Sequence, residues 1–253
     1  MSVLHVCFVF GCCCPFHLTS HKFSPLSFTY SPLSPPTPQY FRNNFTVQQR
    51  IDLRNYVLTY LAEKGSTIDN FVLTSVIKLV CRITKLGWFD DVTHRELPDQ
   101  VKRFLEATVD HCVIGLKILN QLVDELNIPT VGRTLTAHRK SAVSFRDTSL
   151  KKVFELGLAT LDQLKQNAIQ GTPRQIQDLG LQSLSLVVRC LGFDFIGTNP
   201  DESTEDVGTI QIPMSWRALI MSKANMEVLF DFYKNTEPPR SNKAMEAIIL
   251  LSR

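Results

Sequence analysis

Three basic residues, Lys78, Arg82 and Lys85, recur at i, i+4 and i+7 within TIDNFVLTSVIKLVCRITKL, so a helix over that stretch gathers three cations on one flank. Such a flank can grip an acidic or polar protein surface, or it can be a solvated ridge. A second charged feature, Asp201, Glu202, Glu205 and Asp206 in the loop NPDESTED, concentrates four carboxylates that are either solvated or turned toward a basic partner. Covalent and proton-transfer chemistry is harder to find. The chain has no glycine-rich phosphate loop, no H-E-x-x-H, no G-x-S-x-G and no C-x-x-C pair. Cys12, Cys13 and Cys14 are adjacent and lack zinc-site spacing. His111 stands beside Asp110 and Cys112, but neighbours on a helix point in different directions and do not make a triad. His94 and His138 are expected in solvated loops. These absences point to a binding protein, not an enzyme, with no cofactor and no metal.

The elements that must position the charges are helices. RIDLRNYVLTYLAEK places Leu53, Tyr56, Val57, Tyr60 and Leu61 on one apolar stripe, and Gly65 stops it. The next stretch does the same with Ile68, Phe71, Val72, Val76, Leu79, Val80 and Ile83, ending at Gly87. A connection that short forces the two helices antiparallel. Pro98 opens a second pair, with Val101, Phe104, Leu105 and Val109, then Ile118, Leu119, Leu122, Val123 and Leu126. Nothing near residues 108–111 fixes the turn between them, and one uninterrupted helix is the alternative. The third pair carries Leu150, Val153, Phe154, Leu158 and Leu161, then Pro173 followed by Ile176, Leu179, Leu184, Val187, Val188 and Leu191. The fourth has Trp216, Leu219, Ile220, Leu229, Phe230 and Tyr233, then a stretch from Ser241.

Outer helices therefore begin near residues 50, 98, 147 and 213, and the first two intervals lie close to the ~40 to 47 residue period of HEAT-type repeats. The last interval contains 192–212, which looks like an insertion. The expected fold is all-α: a HEAT-repeat α-solenoid of about four antiparallel pairs in which each pair buries its face on its neighbour. A single closed helical bundle is the competing architecture.

Residues 1–46 are a different kind of sequence. The first fifty residues hold no Asp or Glu, six of the 13 prolines and four of the seven cysteines. SPLSFTYSPLSPPTPQ has neither helical nor strand period, and the expectation is a Ser/Pro-rich, disordered or atypical start before a HEAT region at 47–253. The apolar opening lacks the basic flank and cleavage site of a secretory signal. Cys81, Cys112 and Cys190 sit singly on apolar faces, as reduced thiols do. With only Lys22, Arg42 and Arg50 among the first fifty, the remainder carries 24 basic and 24 acidic residues. That balance argues against nucleic acid as a partner. No apolar run after residue 50 is long enough to cross a membrane.

The segments QRIDLRNYVLTYLAEK, RITKLGWFD, TAHRK followed by SFRDTSL, LGFDFIGT with its acidic continuation, and IQIPMSWRALI resemble, in order and spacing, the amino-terminal region of the exportin-7 and Ran-binding protein 16 and 17 branch of the importin-β superfamily. The resemblance covers Gln49 to Arg253. It implies a nuclear export receptor built of HEAT repeats, which takes protein cargo together with Ran-GTP, passes nucleoporins and shuttles between nucleus and cytoplasm. It also implies that inner helices of early repeats face Ran. Lys78, Arg82 and Lys85 become candidates for contacting Ran-GTP, and Asp201, Glu202, Glu205 and Asp206 for contacting Ran or cargo. Family members carry further repeats before and after this region, which is therefore expected to be truncated at both ends. A generic HEAT scaffold without transport activity is the second function class.

Overall fold

Several helices open on a side chain that satisfies backbone donors with no partner of their own. In the computed structural model, which describes residues 44–195 and 212–252, helix α1 (Val47–Lys64) starts on a reciprocal capping box. Thr46 Oγ1 accepts from Gln49 N (3.2 Å), and Gln49 Oε1 accepts from Thr46 N (2.9 Å). Asp69 caps α2 (Asn70–Gly87), accepting from Phe71 N at 2.8 Å. A short α3 (Val92–Arg95) and α4 (Leu97–Leu105) follow. The turn that sequence alone did not place falls at Thr108, whose hydroxyl accepts from His111 N and begins α5 (Val109–Asn127). Two helices, not one, occupy this stretch.

The third pair departs from expectation. Its outer helix does not begin near 147. Thr134 caps a helix α6 (Leu135–Phe145), which runs through a π-turn (Arg146–Leu150) directly into α7 (Lys151–Lys165). A π-turn accommodates an inserted residue without breaking the helix, so no Gly or Pro marks it. Thr172 and Gln175 form a second capping box around Pro173 at the head of α8 (Pro173–Leu191). A 3-10 turn at Met214–Trp216, short α9 (Arg217–Ile220), α10 (Lys223–Asn235) and α11 (Arg240–Leu251) complete the described chain.

Among the described residues there is no strand. Helices α1/α2, α4/α5, α7/α8 and α10/α11 pair, and the second members stack in register as α2 on α5, α5 on α8 and α8 on α11. This is the α-solenoid expected from the spacing: an inner layer of α2, α5, α8 and α11 covered by outer helices.

One buried cluster runs the length of the stack, from Val57, Leu58 and Leu61 through Leu79, Ile118 and Leu161 to Leu184, Leu229 and Ala244. An aromatic seam crosses it. Trp88, at the end of α2, meets Phe145 edge-on at 5.8 Å; Phe145 meets Phe193, Phe193 meets Phe195, Phe195 meets Trp216 edge-on at 5.7 Å, and Trp216 stacks on Phe154 at 5.1 Å. Arg146, in the π-turn, donates to Phe195 O at 3.1 Å and holds the middle of the seam.

The stripe on α1 is rotated from its sequence reading. Tyr56 is exposed, whereas Arg50, Ile51, Arg54 and Leu58 are buried. Likewise Phe71, Phe230 and Tyr233, expected in apolar stripes, are exposed.

Candidate partner-binding face

The inner layer turns its polar side chains along one face, where the predicted basic ridge lies only in part. Lys78 is exposed on α2. Arg82 is committed: it forms an ion pair with Glu125 of α5, which is itself buried. Lys85 is fully buried, a correction to its place on a surface ridge. Its Nζ donates to Glu125 O (2.6 Å) and Ile128 O (2.5 Å), capping the end of α5 from the neighbouring pair. Carbonyls at a helix carboxyl terminus have no partner within the helix and carry partial negative charge, so they receive an ammonium readily. Burial pushes the Lys85 ammonium down to about 8, a fall opposed by Glu125 and furthered by Arg82 and Arg133. Arg133 returns the bond, donating to Lys85 O at 3.0 Å.

The same end of α5 is held from the other side. Arg189 of α8 donates to Asp124 Oδ1 and to Asn120 Oδ1, each at 2.8 Å, and Asn120 Nδ2 donates to Gln182 O at 3.0 Å. Successive residues on a helix differ by about 100° in direction. Asp124 and Glu125 are adjacent, so one carboxylate serves each neighbouring pair.

At the opposite, amino-terminal edge the links among the inner helices themselves are fewer and exposed. Lys117 Nζ donates to Asn70 Oδ1 at 3.0 Å, and Gln175 Nε2 donates to Asp110 Oδ1 at 2.8 Å. A cavity of about 150 Å³ opens there, floored by Ile68, Leu73, Val113 and Ile114 and walled by Asp110, Lys117 and Asp178.

A buried polar node joins α1 to the second pair. Arg54, wholly enclosed, donates to Thr84 Oγ1 (3.3 Å), Asn55 Oδ1 (2.8 Å) and Gln100 Oε1 (2.7 Å), and burial brings its guanidinium down to about 10. Arg50 pairs with Asp90 at 2.8 Å. His94 lies in the same node, not in a solvated loop, and packs against Gly87, where an added Cβ would stand 2.4 Å from its Nε2. Burial, with Arg54 nearby, lowers it to about 4. His138 is buried as well and is lowered to about 4 by burial and by Lys85 and Arg133.

His111 does not gather a triad. Its ring bonds Thr108 Oγ1 (2.7 Å) and Ala62 O (2.9 Å), while Asp110 faces Gln175 and Cys112 is buried. Cys81, Cys112 and Cys190 are all buried, and burial raises each thiol, Cys112 to about 11. Asp201, Glu202, Glu205 and Asp206, and the Ser/Pro-rich start, lie outside the described residues. Among the described residues no group of three or more potential ligands could hold a metal ion, and no helix is long and apolar enough to cross a membrane.

Among the described residues this face carries mutually neutralising ion pairs, the exposed Lys78 and a cleft. The inter-pair acceptors Asp124, Glu125 and Asn120 escaped the sequence reading. The buried arginines had a signal, since Arg50, Arg54, Val57, Leu58 and Leu61 share helical spacing.

No family model matches the sequence, and no solved structure matches it. Curated relatives do. The chain is 38% identical to Ran-binding protein 17 of Mus musculus over 211 residues, 82% of this chain and 19% of the relative. It is 41% identical to Exportin-7-A of Xenopus laevis over 214 residues, 83% of this chain and 20% of the relative. Ran-binding protein 16 of Drosophila melanogaster is 37% identical over 198 residues, 75% of this chain and 18% of the relative. The chain thus spans about a fifth of the length of the curated relatives it matches.

Proposed function

About four-fifths of the chain belongs to the exportin-7 and Ran-binding protein 16 and 17 family, and from that premise we propose that it serves nuclear export, binding Ran-GTP and protein cargo through its inner face. The single observation that carries this reading is the extended identity to proteins whose names state export and Ran binding. The stacked helix pairs support it, because a solenoid offers a long polar surface and changes curvature through small adjustments at each joint. Ran-GTP dependence, passage along nucleoporins and shuttling between nucleus and cytoplasm belong to the same proposal. If Ran-GTP and cargo favour one curvature, each raises affinity for the other by the same factor.

Lys78 is the ridge residue that remains available to a partner, and Asp201, Glu202, Glu205 and Asp206 keep their proposed role toward Ran or cargo. Interferometry with the immobilised chain and purified Ran loaded with GTP or GDP tests the reading. Preference for the GTP form is expected, and Lys78→Glu should weaken it and flatten its salt dependence, as for a screened surface charge. Equal response to both nucleotide states returns the chain to a general protein-interaction scaffold.

A further inference from the structure

The inner helices are fastened unequally at their two ends. At the carboxyl-terminal end the fastenings between α2, α5 and α8 are charged: Arg82 on buried Glu125 and enclosed Lys85 on the last carbonyls of α5, and on the other side Arg189, half-exposed, on half-exposed Asp124 and on buried Asn120. At the amino-terminal end each link between α2, α5 and α8 has one uncharged partner and stands in solvent, Lys117 to Asn70 and Gln175 to Asp110, while His111 adds a half-buried tie from α5 to Ala62 O of α1. The cavity lies at this second end, between all three helices, and every residue lining it belongs to the first half of its helix or the turn before it. Enclosed charge-assisted bonds resist separation far better than exposed ones, and a void removes packing contacts that would otherwise hold the walls together.

We infer that the first three helix pairs pivot on the carboxyl-terminal clamp and part at the amino-terminal edge, so that the cleft between α2, α5 and α8 is the mouth of a hinge. The acidic pair Asp124 and Glu125 makes α5 the common pin. Opening one joint reorients the helix that anchors the other, and an object wedged in the mouth sets the angle of both.

Amide exchange of the full chain, read by mass spectrometry, tests the device. First-turn amides are left out because they lack intrahelical acceptors. Residues 74–78 and 113–117 should exchange on the order of tenfold faster than 82–86 and 121–125, because they lie on the side of the helices that opens. Asn70→Asp converts the exposed link to Lys117 into an ion pair across the mouth, and it should slow exchange in 113–117 as well as in 74–78. Adding Lys117→Met should return 113–117 to the wild-type rate. Equal exchange in the two halves overturns the hinge; so does protection by Asn70→Asp confined to α2, or protection of α5 that survives loss of Lys117.

Discussion

Replacing Lys85 by Met isolates what a buried ammonium does at the joint between the first two pairs. The change keeps an unbranched chain of similar reach and removes two charge-assisted bonds, to Glu125 O and Ile128 O. Each such bond contributes roughly 1.5 to 3 kcal/mol, while relief from burying the charge offsets several kcal/mol. At pH 7 the net loss should therefore be small, about 1 to 2 kcal/mol.

The pH dependence is sharper. The unfolded chain holds the Lys85 proton up to 10.5 and the folded chain releases it at about 8. Between those values the unfolded state binds more protons, so this group adds stability as pH rises. From pH 7 to 9 the gain is about 1.4 kcal/mol for a residue shifted this far. Cys81, Cys112 and Cys190, ionising at 9.0 when unfolded and raised by burial in the fold, oppose it from about pH 8 upward in wild type and variant alike, so the difference between the two proteins reads Lys85. Urea unfolding followed by helical circular dichroism at pH 7, 8 and 9 should show wild type gaining on Lys85→Met by that amount. Parallel curves for the two proteins would refute the argument that the ammonium is held at a desolvation cost.

Gly87→Ala places a methyl group into the His94 ring, which is enclosed and cannot swing away, and should destabilise the chain by about 1 to 3 kcal/mol in thermal melting; an unchanged Tm would show that the node yields. His94 and His138, both near 4 when folded and 6.5 when unfolded, remain neutral in the fold while the unfolded chain takes up protons. Stability should fall as pH drops from 6.5 toward 4, by up to about 3 kcal/mol per ring, and a His94→Gln, His138→Gln double variant should lose most of that slope.

Helix existence was legible from period alone, because the stripes of α5 and α8 are buried nearly as predicted and that of α2 is buried from Val76 to Ile83, though not at Phe71. Pro173 at the head of α8 was visible for the same reason, because its chemistry is local. What stayed hidden depends on neighbours distant in sequence. The spacing of Arg54 with Val57, Leu58 and Leu61 marks it as a stripe position, but what allows its burial, Thr84 and Gln100 receiving its donors, lies 30 and 46 residues away. Lys85 reads as a solvated lysine until α5 ends beside it. The join at Arg146–Leu150 has no breaker because a π-turn needs none, so the outer helix seemed to begin there. His94 and His138 looked like loop residues for want of any signal that α3 and α6 fold back on the core.

The aromatic seam gives the protein an optical property. The chain has two tryptophans, and both are enclosed at the two halves of one ring series, Trp88 against Phe145 and Trp216 between Phe154 and Phe195. Emission excited at the indole band therefore samples the joints from the end of α2 to the entry of the fourth pair and is nearly silent about α1 and α11. A red shift means that water has reached this line, and its absence during helix loss means that unfolding has begun at the ends.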